Sequence, residues 1–283
     1  MTMTVPSRPG SDQFTLWNGP TGRTWVEHQA MIDALFAPFE ALLVDAAVAV
    51  APRAVLDVGC GAGSTTLAVA RRLGAGTHYT GIDISDPMMV AAHEHAARQR
   101  LPVRFIRADA QSYGFEPAEF DLIISRFGVM FFDDPIRAFA NLRRAAQSQA
   151  ALRFIAWRSP EENPFMTTAE RAAAPLVPNL PARVPNAPGQ FGFADGGRVR
   201  HILEQAGWTR IEIGPIDVAC VMPAAALTPY LTHMGPLGAV LRDTDPNEHA
   251  RIIETVRAAF DRYVDGTQIR FTSACWMVAA TAP

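Results

Sequence analysis

The chain has 283 residues, 49% of them apolar, with a formal net charge of −3. That is enough apolar material for one sizeable core with insertions or for two small domains. All 25 basic residues are arginine and none form a run, which argues against a nucleic-acid surface and excludes a lysine Schiff base, a lysine general base and a P-loop lysine.

Three cysteines, Cys60, Cys220 and Cys275, stand at no metal-ligand spacing, and an odd number makes no disulfide framework in a chain this long. The seven histidines form no His-x-x-x-His pair on a helix, so no metal is expected. The longest apolar stretch, Ala41–Gly59, is broken by Asp45, Pro52 and Arg53 and falls short of the ~18 residues a membrane span needs. Met1–Gly10 lacks the apolar centre of a signal peptide, so a cytoplasmic protein is expected.

In chain order, residues 1–14 are polar and read as loose. Trp17–Trp25 mixes turn residues with two tryptophans. From Met31 the spacing of Ile32, Leu35, Phe36, Phe39, Leu42 and Leu43 predicts an amphipathic helix with a kink at Pro38. Strands and helices then alternate: strand 54–59, helix 64–73, strand 78–84, helix 86–100 opened by Asp86 and Pro87, strand 102–109, strand 119–127, helix 133–147, strand 151–157. This rhythm predicts an α/β doubly wound, mostly parallel sheet. Residues 159–194 are proline-rich and aperiodic, as in a surface excursion. A helix at 194–207, a strand at 208–221, helices with turns over 223–266 and a final strand at 268–280 complete seven strands. The predicted division is a lid segment, 1–50, and a main domain, 51–283, with lid insertions at 159–194 and 223–266.

The first strand ends in Asp57 and runs into Gly59, Gly61 and Gly63. A dinucleotide fingerprint would place its third glycine at position 64, which is a serine. A carboxylate at Asp57 suits an ammonium group or an ordered water better than a pyrophosphate, which wants helix N–H groups and positive charge. The implied cofactor bears a nucleoside and an amine but no phosphates, and S-adenosylmethionine meets those conditions. Asp83 ends the second strand, where an acid accepts from both ribose hydroxyls; Ile84 follows it. After the third strand, Asp109 is placed to accept from an adenine amino group and the Ala110 N–H to donate to a ring nitrogen. Arg126 follows the fourth strand.

In order and spacing, VLDVGCGAG, GIDIS, ADA and FDLIISRFGVMFFDDP resemble the motifs of class I S-adenosylmethionine-dependent methyltransferases, strongly over residues 54–157. The flanking WNGPTGRTW and NLRR…WRSPEENPF resemble a bacterial subgroup near the ubiquinone/menaquinone-biosynthesis methyltransferases. The resemblance implies a seven-stranded sheet with its last strand antiparallel. It also implies that Gly59, Gly61, Asp83, Met88, Asp109, Ala110 and Arg126 line the cofactor site, to which Trp25, Asp57 and Ile84 are added here. The turn before the fifth strand departs from the family's Pro-Gly-Gly, and no Asn-Pro-Pro-Tyr follows the fourth strand. That absence lowers the case for nucleobase or glutamine methylation.

Methyl transfer to the oxygen or carbon of a small aromatic, quinol or polyketide-like acceptor is expected, with no nucleic-acid partner. His28 and His233 fall in segments predicted to cover the pocket and are the candidate general bases. The acceptor chamber is expected to draw on Phe165, Met166, Leu176, Phe191, Phe193, Met222, Leu227, Tyr230, Leu231, Met234, Leu237 and Leu241. Cys60 reads as a small packing residue rather than a reactive thiol. His93 and His95 read as solvated. Two alternatives stay open, an NAD-dependent oxidoreductase and a non-catalytic S-adenosylmethionine-binding protein.

Overall fold

A computed structural model describes residues 11–242 and 244–283; residues 1–10, and the readings made on them, lie outside the described residues. Three helices come first: α1 (Ser11–Asn18), α2 (Pro20–Glu27) and α3 (Gln29–Val50). Residues 17–25, expected as turns, are helical on either side of a one-residue break. Gly19 caps α2, and Pro20 takes a position in the first turn where its missing N–H has no helical partner to lose. α3 passes through Pro38 and buries Ile32, Leu35, Phe39, Leu43 and Ala47, a 3–4 spacing that faces the sheet.

The alternating unit follows: β1 (Ala54–Val58), α4 (Ser64–Leu73), β2 (His78–Asp83), α5 (Asp86–Gln99), β3 (Val103–Arg107), β4 (Phe120–Arg126), α6 (Pro135–Ala145) and β5 (Ala146–Trp157). Asp134 caps α6 by accepting from the Arg137 N–H. The matching role expected of Asp86 is not taken up: Asp86 lies inside the first turn of α5, and Ser85 is its N-cap. The Ser85 hydroxyl donates instead to the Trp17 carbonyl at 2.7 Å, tying the N-terminal helices down.

The chain continues through α7 (Pro164–Ala173), α8 (Gly196–Gln205), β6 (Thr209–Pro223), α9 (Leu227–His233), α10 (Gly235–Leu241), α11 (Pro246–Ala258), β7 (Val264–Asp265) and β8 (Gln268–Thr281). The sheet order is β3-β2-β1-β4-β5-β8-β6, with β7 pairing β8. The β1–β5 pairings are parallel, and β8 is antiparallel to both β5 and β6. The strand count is eight rather than seven, because residues 264–265 fold back on β8 in a hairpin too short to show a sequence pattern.

Strand order reverses beside β1, between β2 and β4. In open parallel sheets ligands sit at such a point, outside the carboxyl ends of the strands. At the far side of the sheet, α7, α9, α10 and α11 pack on one another. Phe165 stacks on Phe271 and meets Phe260 and Tyr263 edge-on.

Candidate active site

Gly59, Gly61 and Gly63 all have positive φ, at 66°, 56° and 87°. Gly59 does more than turn the chain. A Cβ on Gly59 would stand 2.6 Å from the Gly128 Cα, and one on Gly128 would stand 2.6 Å from the Val58 carbonyl oxygen. The turn after β1 and the turn after β4 therefore touch backbone to backbone. Gly61 is not crowded: a Cβ there would meet the Met88 sulfur at 3.6 Å, an ordinary contact.

The three acids expected at strand ends line one cavity with this turn. Asp83 Oδ2 accepts from the Gly61 N–H and Oδ1 from the Ser85 N–H, each at 2.9 Å. Burial raises its pKa, against the pull of the Ser85, Gly61 and Ile84 N–H groups. Asp57 is fully buried and accepts from the Thr66 hydroxyl at 2.6 Å. Burial pushes its carboxyl up to about 7, while Thr66 and Arg126 oppose the shift and the Asp83 and Glu40 carboxylates add to it. Asp109 accepts from the Gln111 N–H at 2.9 Å.

Beyond β4, the buried Ser125 hydroxyl donates to the Val58 carbonyl at 2.7 Å and accepts from the Gly128 and Val129 N–H groups. Phe127 is held at φ 65° and stacks on Trp157. Arg126 faces α3, where Asp33 and Glu40 stand 3.8 and 3.9 Å from its guanidinium. The remaining wall comes from Gln13, Trp17, Trp25, Gln29, Ile32 and Phe36. Trp17 meets Trp25 and Phe131 edge-on, closing the cavity on the α1–α2 side.

Residues 55–149 match the family described as "Methyltransferase domain". This stretch is a methyltransferase domain. The chain is 33% identical over 107 residues to the aklanonic acid methyltransferase DauC of Streptomyces sp. (strain C5), covering 38% of this chain and 49% of the relative. It is 31% identical over 122 residues to the demethylmenaquinone methyltransferase of Thermus thermophilus, covering 43% and 55%. The chain thus spans about half the length of the curated relatives it matches. The fold is shared with a SAM-dependent methyltransferase from Aquifex aeolicus at a TM-score of 0.52 and 17% identity, covering 94% of this chain and 99% of that one.

In the methyltransferase domain and its N-terminal helices, Trp25, Asp57, Gly59, Gly61, Asp83, Ile84, Met88, Asp109, Ala110 and Arg126 all line the one cavity. His28 and His233 do not line it, which corrects their reading as bases facing the pocket. Their rings stack on each other, 4.5 Å apart. His28 sits at the α2–α3 junction and His233 ends α9. Burial and the neighbouring His28 lower the pKa of His233. None of the twelve apolar residues expected to form an acceptor chamber lines this cavity: Phe165, Phe193, Met222, Leu227, Leu231, Leu237 and Leu241 are buried in the core, and Met166, Leu176, Phe191, Tyr230 and Met234 are half-buried outside it. Cys60 is buried as expected, and burial holds its thiol well above its ordinary range. Among the described residues no cluster of His, Cys, Asp and Glu could hold a metal.

Sequence reasoning missed four residues. Ser64, which marked the departure from a dinucleotide turn, donates to Asp33 at 2.6 Å. Gln29 donates to the other oxygen of Asp33 at 3.2 Å. His95 is not free in solvent: its Nδ1 lies 3.0 Å from the Ala62 carbonyl, bracing the glycine turn from α5. Its place with Met88 and Ala92 at i, i+4 and i+7 was the available signal. Gln111 is buried, and its Oε1 accepts from the Asp134 N–H.

Proposed function

We propose that the chain transfers a methyl group from S-adenosylmethionine to an oxygen or carbon of a small, largely apolar acceptor. One observation carries this reading: acids at the ends of three adjacent strands, with a positive-φ glycine turn between them, open into one cavity. The donor set fits such a cofactor. Asp57 suits an ammonium, Asp83 retains acceptor capacity for ribose hydroxyls beside its two N–H donors, and Asp109 with Ala110 suits an adenine edge. Gly61 lines the cavity and has no side chain to hold a ligand off its backbone.

When bound, the cofactor supplies a methyl group already activated on a sulfonium. The side chains have two tasks, alignment and exclusion of water. Alignment is worth ~7–11 kcal/mol, against ~10²–10⁴-fold for a general base. Phe36, Phe127 and Ile32 present apolar surface beside Arg126, while Trp17, Trp25 and Phe131 shut out solvent. The names of the two relatives, an aklanonic acid and a demethylmenaquinone methyltransferase, support a small organic acceptor. We place the lid in the helices of residues 11–50, which α9 meets where His233 stacks on His28.

The test pairs calorimetry with labelling. S-adenosylhomocysteine should bind in preference to NAD. Labelled S-adenosylmethionine should then be offered with a phenol and quinol panel, RNA, DNA and a protein extract. Preference for NAD would overturn the cofactor, and label entering macromolecules but no small molecule would overturn the acceptor class. Binding without turnover on any acceptor would leave a cofactor-binding protein that is not an enzyme.

A further inference from the structure

Across the sheet order β3, β2, β1, β4, four charged groups of the cavity form a row: Asp109, Asp83, Asp57 and then Arg126. The first three are the groups suited to adenine, ribose and an ammonium. Arg126 stands one strand further on, and it is the only arginine among the described residues lining the cavity, which include no lysine or histidine.

Its side chain is 13% exposed, and its Nη1 is buried without a hydrogen-bond partner. Two carboxylates are close, but at 3.8 and 3.9 Å neither is within hydrogen-bond reach. Asp33 has its oxygens engaged by Ser64 and Gln29. Burial raises the pKa of Glu40, opposed by Arg126. Both acids lie on one face of α3, at i and i+7, with Phe36 between them. They balance the guanidinium's charge while leaving a donor unspent. A buried cationic donor without an acceptor is unfavourable until something supplies an oxygen.

We propose that Arg126 is the oxyanion seat of this cavity: its guanidinium donates to a carboxylate, phenolate or enolate oxygen of a bound small molecule, and Asp33 and Glu40 position it. This rests on the methyltransferase reading. Two molecules can bring such an oxygen, the acceptor or the cofactor through its amino-acid carboxylate. An acceptor held as an oxyanion needs no side chain to remove a proton, in keeping with a lining free of histidine. Its oxygen lone pair forms the bond to the methyl carbon, the carbon–sulfur pair stays on sulfur, the sulfonium becomes a neutral thioether, and no proton is left over.

The test compares ligands that differ in one charged group. S-adenosylhomocysteine is titrated against 5′-methylthioadenosine, which lacks the amino-acid end. Salicylate is titrated against phenol on protein with and without S-adenosylhomocysteine. Both pairs are measured on wild type, Arg126→Gln and Arg126→Gln/Glu40→Gln, the last removing one charge of each sign so that folding is protected; melting temperature checks the fold. A tenfold or greater loss of S-adenosylhomocysteine with methylthioadenosine unchanged assigns the oxyanion to the cofactor. A tenfold or greater loss of salicylate with phenol unchanged assigns it to the acceptor. Folded variants that bind all four probes as wild type does overturn the proposal. Should neither variant fold, a wild type that favours neither anionic probe over its partner overturns it equally. Failure of wild type to bind either nucleoside sinks the cofactor reading instead, and the salicylate arm then judges the seat alone.

Discussion

At the ends of β2 and β4, side chains are tied to backbone. Asp83 holds the N–H groups of Gly61 and Ser85, Ser125 holds Val58, Gly128 and Val129, and Gly59 rests on Gly128. Across the cavity, on α3, side chains are tied to side chains: Asp33 to Ser64 and Gln29, with Asp33 and Glu40 flanking Arg126. Backbone partners cannot be swapped by substitution, whereas side-chain partners can. On the proposed reading, the strand-end wall is the part committed to one ligand, and the helical wall is the part free to change with the acceptor.

The sharpest way to break this contrast is at the backbone joint. Gly59→Ala would place a Cβ against Gly128 in a left-handed conformation. Left-handed strain of ~1–2 kcal/mol and crowding of ~1–3 kcal/mol should together lower the melting temperature by several degrees. Gly114→Ala, at a glycine with nothing within 4 Å and no positive φ, should stay within ~0.5 kcal/mol of wild type. Equal effects in thermal melts would mean the joint bears no special strain.

Next comes Asp83→Ala, which removes both the support of the turn and the proposed ribose acceptor. Hydrogen bonds to a charged group contribute ~1.5–3 kcal/mol each, so S-adenosylhomocysteine should bind ~10- to 150-fold more weakly by calorimetry. Wild-type affinity in the variant would remove Asp83 from the site.

A smaller effect is pH-dependent. The folded-state pKa of Asp57 is raised to about 7, well above its ordinary 3.8. Its contribution to stability is therefore fully present below pH ~4 and lost as pH rises through about 7. Asp57→Asn should accordingly gain on wild type in melting temperature between pH 5 and 8. Binding of an ammonium group favours the carboxylate, so wild-type affinity for S-adenosylhomocysteine should rise across pH 6 to 8 and flatten in the variant. A flat wild-type profile would mean that Asp57 does not face the ammonium. The charged groups that act on it are Arg126, Asp83 and Glu40.

The least effect is expected at the stacked histidines. His28→Ala and His233→Ala should keep turnover within about twofold, since neither ring lines the cavity. A loss approaching the ~10²-fold typical of a missing general base would restore them to the chemistry.

The same contrast explains what could be read from the sequence. Gly59, Gly61, Asp57, Asp83 and Asp109 act on or beside the backbone next to them, so the pattern within a few residues sufficed. The alternation of strands and helices gave the sheet for the same reason. Ser64 stayed opaque because its partner, Asp33, is 31 residues away and belongs to another helix. His28 and His233 were placed over the pocket because their segments run near it; a helix junction and a helix end do not determine where a ring points. The apolar side chains of residues 159–194 and 223–266 suit a binding chamber and a core equally well in composition, and packing takes seven of the twelve into the core and leaves none on the cavity.

The contact between Gly59 and Gly128 has a consequence for redesign. Two turns touching backbone to backbone cannot slide independently, so altering one to enlarge the cavity disturbs the other and with it the nucleoside half. Trp25, Gln29, Ile32 and Phe36 reach the same space from α2 and α3 and take no part in that joint. A combinatorial library confined to Ile32 and Phe36, leaving Trp25 and the Gln29–Asp33 pair in place, should shift the range of acceptors while most of its members keep the cofactor.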